Sequence, residues 1–152
     1  MGRVHERPGK FLAGLVDELL EWAEHEFRLD RKLDDGATER DHLESAARQL
    51  KALGRQPKAE PTVDGPPFPD ELDYLYRWFM EISLGLASSG MAPAVVTWRD
   101  ITDWQEQTGE IVEPWEARAL VSLGALRASI AVEKTKKKAK TPSEPKPKKP
   151  RK

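Results

Sequence analysis

The sequence contains no cysteine, which excludes disulfides and thiolate metal sites and suits a reducing cytoplasm. Apolar residues are scarce too. They make up 38% of the chain against 34% charged, so any core must be small. No apolar run approaches the ~20 residues a membrane span needs. The opening MGRVHERPGK is basic enough to start a signal peptide, but amphipathic, acidic sequence follows it, and no secretory signal is expected.

The signatures of chemistry are also missing. There is no P-loop and no dinucleotide fingerprint. Ser88 and Ser89 precede Gly90 without forming a G-x-S-x-G turn. His5, His25 and His42 are scattered, and none has a His or Cys at ligand spacing. Glu24-His25-Glu26 has the composition of a ligand run, but consecutive residues of a helix point in different directions. Carboxylates are too numerous, at 26, for any pair of them to indicate acid–base work. No catalytic residue, cofactor or metal is expected.

Charge is abundant but unevenly placed. Residues 134–152 hold ten Lys/Arg and one Glu, net +9, which leaves net −10 on residues 1–133 of a chain whose total is −1. The body is acidic and the tail basic, an arrangement that bears on partners and solubility rather than on fold. The tail, KTKKKAKTPSEPKPKKPRK, has no apolar residue beyond one alanine and is expected to be disordered from residue 133 onward. It could solubilise the chain, attract an acidic partner (the chain's own body included), or contact nucleic-acid phosphates. It carries no aromatic residue for base stacking.

The apolar material is concentrated. Residues 67–132 contain four of the five tryptophans and both tyrosines. Three helices are expected there. In the first, Asp70 to Leu86, the residues Leu72, Leu75, Tyr76, Phe79, Ile82 and Leu86 share an arc about 120° wide, leaving Tyr74 and Trp78 at its edge. The spacer Ala87 to Pro93 breaks it. The second helix, Trp98 to Thr108, opens on Thr97 with Asp100 in capping-box position and stops at Gly109. Trp98, Ile101 and Trp104 share its apolar arc. The third, Pro114 to Val132, has a first-turn proline, with Glu113 and Glu116 at the positive end of its dipole. Trp115, Ala119, Leu123, Leu126 and Ile130 form its stripe.

Upstream, residues 1–9 read as a disordered lead. Lys10 to Leu29 reads as an amphipathic helix with the stripe Leu12, Leu15, Val16, Leu19, Leu20, Ala23 and Phe27, Trp22 at its edge, and Asp17, Glu18, Glu21 and Glu24 opposite. It is a core helix or, set apart from the aromatic cluster, a self-association or partner-docking helix. Asp34-Asp35-Gly36 marks a turn. Thr38 then caps a helix to about Leu53, whose thin stripe of Leu43, Ala46, Ala47, Leu50 and Leu53 must lean on a neighbour. Five prolines and two glycines in residues 54–69 mark a linker. The expected fold is thus all-α, about five helices, divided as 1–9, 10–53, 54–69, 70–132 and 133–152.

Phe79, Trp98, Ile101, Trp104 and Trp115 are the expected core aromatics and aliphatics. Tyr74 and Trp78, beside Glu71 and Glu81, are the candidate partner-binding residues, because aromatics on an acidic face are typical interface anchors.

The run ELDYLYRWFMEISLG, a Gly/Ser/Pro spacer, T-W-R-D-I-T-D-W-x-x-x-T-G and then P-W-E-A-R-A-L-x-x-L resembles the small tail assembly chaperones of long-tailed bacteriophages and prophages, as does the lead-in DDGATERDHLESAARQL. The resemblance covers about residues 34–130. The acidic helix before Asp34 and the Lys/Pro tail depart from the family pattern. The resemblance implies a non-enzymatic protein of the bacterial cytoplasm, encoded beside the tape-measure protein. It would bind that protein, help recruit tail-tube subunits and be absent from the mature virion. Some members arise as frameshift extensions. A small nucleic-acid-associated protein, acting through residues 134–152, is the alternative from a different class.

Overall fold

The computed structural model describes residues 9–55, 65–86 and 93–139, and only the backbone of 134–139. Over these residues the chain forms five α-helices: α1 (Lys10–Leu29), α2 (Glu39–Ala52), α3 (Asp73–Leu84), α4 (Trp98–Thr108) and α5 (Pro114–Ala139). A 3₁₀ turn, Asp70–Leu72, leads into α3. No strand is present among the described residues; one antiparallel bridge, Lys32 to Thr38, closes the turn between α1 and α2.

The helix signals in the sequence are realised with atomic detail. Thr38 accepts from the amide of Asp41 while the Asp41 carboxylate accepts from the amide of Thr38, closing the capping box. Thr97 and Asp100 do the same for α4. Gly109 ends α4 in the left-handed region at φ 76°, where a Cβ would be strained. Three boundaries differ from expectation. The first turn before α3 is 3₁₀ rather than α, and α3 stops at Leu84. Helix α5 continues past Val132 to Ala139, into the segment expected to be disordered. Lysine and alanine tolerate helix well, and the first proline after Pro114 comes only at Pro142. The rest of that tail, 140–152, lies outside the described residues, as do 1–8, 56–64 and 87–92.

One core joins both ends of the chain. Leu15, Leu19 and Ala23 of α1 are buried in the same cluster as Leu72, Leu75, Phe79, Ile82, Val96, Ile101, Ala119, Leu120 and Leu123. Helix α1 packs most extensively on α5 and also meets the 3₁₀ turn. Residues 17–24 of α1 face 122–126 of α5, and farther along both helices Arg28 reaches Glu133 at 2.7 Å, so the two run side by side in the same direction. The apolar stripe of α1 is therefore spent within the chain. Trp22, expected at the edge of that stripe, stands edge-on to Phe68 at 4.7 Å and to Tyr76 at 4.9 Å. The end of the expected linker is part of this arrangement: Phe68 packs on Trp22, Pro69 is buried, and Gly65 lies directly on the His25 ring.

Helix α2 buries no residue. Polar contacts hold it to α1. Arg40 pairs with Glu26 and, at 3.0 Å, with Asp30. Leu53, expected on its stripe, is 73% exposed. The chain between α3 and α4 re-enters the core at Val96, which lies against Gly124 of α5 so closely that a Cβ on that glycine would stand 2.9 Å from Val96.

Candidate interaction surface

The aromatic helices form a seam in which each ring is placed by a helix position. Tyr74 and Trp78, four residues apart on α3, meet edge to face at 5.1 Å. Trp78 also packs on Trp104 of α4 at 5.4 Å. The Tyr74 hydroxyl donates to Glu116 at 2.7 Å. Glu116 is itself buried, and its other oxygen accepts from the amide of Glu113 at 2.7 Å. This carboxylate sits in the first turn of α5, where free amides and the helix dipole favour an anion. Burial, reinforced by the Glu116 carboxylate, pushes the Tyr74 phenol well above its ordinary range. Trp115 Nε1 donates to Glu113 at 2.8 Å. The seam thus ties α3, α4 and the start of α5 together.

Sequence pattern placed Tyr74 and Trp78 at the stripe edge, and there the structure puts them: both are half-buried and packed against the core. Phe79 and Ile101 are buried as expected, and Trp104 and Trp115 are partly buried against the same core. Trp98 is the exception. Expected in the core, it is 57% exposed. It is the first residue of α4, just after the Thr97 cap. The core position at this helix start is taken by Val96, two residues earlier, which is 1% exposed. The helical arc pointed inward, but an arc fixes only direction around an axis, and the end of a helix can lie beyond its partners. Val95, three residues before Trp98, is also 42% exposed.

Behind the seam, Phe79 carries the Arg127 guanidinium over its ring at 4.7 Å. Burial lowers the Arg127 pKa, and among the described residues no carboxylate pairs with it.

Among the described residues no group of three or more His, Cys, Asp or Glu could hold a metal ion, and no helix is long and apolar enough to cross a membrane. His42 pairs with Asp35 at 2.7 Å in the α1–α2 turn, far in sequence from the seam.

The chain is thus a small all-α protein, acidic over its helical body, with a tight aromatic seam and a projecting tryptophan. Residues 50–123 match the family model described as phage tail assembly chaperone. The sequence resemblance is therefore shown, over a narrower span than 34–130. The match begins at the end of α2, takes in the whole seam and ends within α5. Helix α1 lies outside it yet supplies core residues. No curated protein and no solved structure matches the chain.

Proposed function

We propose that this chain is a non-enzymatic tail assembly chaperone that binds the tape-measure protein, keeps it soluble and helps recruit tail-tube subunits in the host cytoplasm, without entering the mature virion. The carrying observation is the family match, whose residues 50–123 include the aromatic seam and Trp98. The physical logic agrees with it. An acidic body resists association with itself, while exposed aromatic surface gives a long amphipathic partner something to bury against. Trp98 is the contact best presented for this. Tyr74 and Trp78, being half-buried, would contribute through whatever area the seam leaves open.

The test is co-expression with the tape-measure protein encoded beside it, using the full chain, a chain ending at Ala139 and Trp98→Ala. The cut falls after Ala139 because ending at Val132 would remove the last turns of α5. Co-purification of soluble tape-measure protein with both the full and shortened chains supports the proposal. Failure of both overturns it. Retention of nucleic acid alone, by the full chain alone and lost at high salt, would establish the basic-tail reading instead.

A further inference from the structure

Helix α2 is fastened to the body at its first turns and leaves most of its apolar face uncovered. The Arg40 pairs with Glu26 and Asp30 hold that end. No residue of α2 is buried, and neither Leu43 nor Leu50 packs on the core. Ala46 and Ala47 are exposed, and Leu53, which follows the last helical residue, is 73% exposed. Yet Leu43, Ala46, Leu50 and Leu53 recur at intervals of three, four and three, the a/d spacing of a helix that pairs with another helix. A helix of 14 residues with such a face is marginal unless something covers it.

Charge says what the cover is. The acids of α2, Glu39, Asp41 and Glu44, all precede its centre, whereas Arg48 and Lys51 follow it and Arg55 comes just beyond. Arg40, the one Lys/Arg in the acidic half, is engaged by α1. Among the described residues no cation pairs with Glu44, and no carboxylate with Arg48 or Lys51. A helix acidic in its first half and basic in its second complements itself when turned end for end.

From this we infer that the face of α2 is the docking site of α2 from a second copy of the chain, antiparallel about a two-fold axis level with Arg48. The apolar pattern maps onto itself under that operation, as an isologous contact requires. Leu43 lies level with Leu53 of the second copy, and Ala46 with its Leu50, so small meets large in the inner layers. Glu44 stands about 1.5 Å along the axis from the level of Lys51 of the second copy, on the same flank of the pair. Asp41 is level with its Arg55. Over Glu39–Ala52 three acids offset three Lys/Arg, so two bodies of net −10 can approach there with little local repulsion. From Leu43 to Leu53 the seam is about 15 Å long. That is too short to bury the ~1,200 Å² of a stable interface, so the dimer forms on the order of 100 µM and exchanges. Self-pairing does not depend on the proposed chaperone role. It does place two aromatic seams on one assembly, and a partner with repeated sites would bind that assembly with avidity.

Sedimentation equilibrium of the full-length chain alone, from ~10 µM to ~1 mM, tests the pairing. A reversible monomer–dimer equilibrium is expected. Its Kd should change by less than about threefold between ~50 mM and ~0.5 M salt, because the seam is apolar. Ala46→Glu, an exposed change that should leave the thermal midpoint of the dilute chain unaltered, sets a carboxylate against Leu50 of the second copy. It should raise Kd at least about tenfold. At ~50 mM salt, Glu44→Lys and Lys51→Glu should each weaken the dimer about fivefold, and an equimolar mixture of the two variants should dimerise like the parent. A chain that stays monomeric at ~1 mM overturns the inference. So does a dimer that Ala46→Glu leaves intact, or one dissolved by ~0.5 M salt, which the basic tail would be holding. Charge reversals that the mixture does not rescue overturn it too, since the helices would then not be antiparallel.

Discussion

At the residue scale, the two tryptophans that sequence pattern and structure rank differently can be separated by experiment. Trp98 is mostly exposed, whereas Trp78 is wedged between Tyr74 and Trp104. Trp98→Ala should leave the melting temperature within a degree or two and weaken the proposed tape-measure binding by about 1 kcal/mol or more, read by calorimetry. Trp78→Ala should cost about 2 kcal/mol of stability in denaturant unfolding, because it opens a cavity beside the core. Gly124 offers a test of close packing. Alanine in mid-helix ordinarily gains up to about 1 kcal/mol, but here its Cβ would meet the backbone and side chain of Val96 at 2.9 Å. Gly124→Ala should therefore destabilise by about 1–3 kcal/mol.

At the element scale, α2 depends on polar contacts rather than burial. The backbone amide of Thr38, with help from its hydroxyl, holds the Asp41 carboxyl below its ordinary 3.8. A lowered folded-state pKa gives stability that is present above 3.8 and lost as pH falls through the depressed value. Amide exchange of α2 should accelerate below about pH 4 before that of α1 and α5, and Asp41→Asn should weaken this dependence. The Tyr74–Glu116 contact works in the opposite direction. A phenol raised above its ordinary 10 stabilises the fold below that pH, and the contribution is lost as pH rises through the raised value. Ultraviolet titration should show Tyr74 ionising late, together with unfolding, and Tyr74→Phe should cost about 1 kcal/mol at neutral pH.

At the scale of the whole molecule, the family-matched region does not hold the whole core. Residues 50–123 leave out Leu15, Leu19 and Ala23, which complete the core around Phe79, Leu120 and Leu123. A fragment starting at Leu50 should lack a cooperative melting transition by circular dichroism. A chain ending at Ala139 should melt like the full one.

Much of this was legible in the chain itself. Capping boxes at Thr38 and Thr97, the stop at Gly109 and the first-turn Pro114 are local chemistry, settled by neighbours within four residues, so both ends of α4, the cap of α2 and the start of α5 could be read directly. The buried set of Leu75, Phe79, Ile82 and Ala119 follows from helical period for the same reason. The likeness to tail assembly chaperones followed from the order of short motifs. Tertiary structure alone decided three matters. It seated α1 on α5, because a stripe states that a face must be buried and not against what. It anchored Gly65, Phe68 and Pro69, whose composition reads as linker until Trp22 and His25 are placed beside them. It exposed Trp98, because burial at the end of a helix depends on where the partner helix stops and on Val96 having filled the space first.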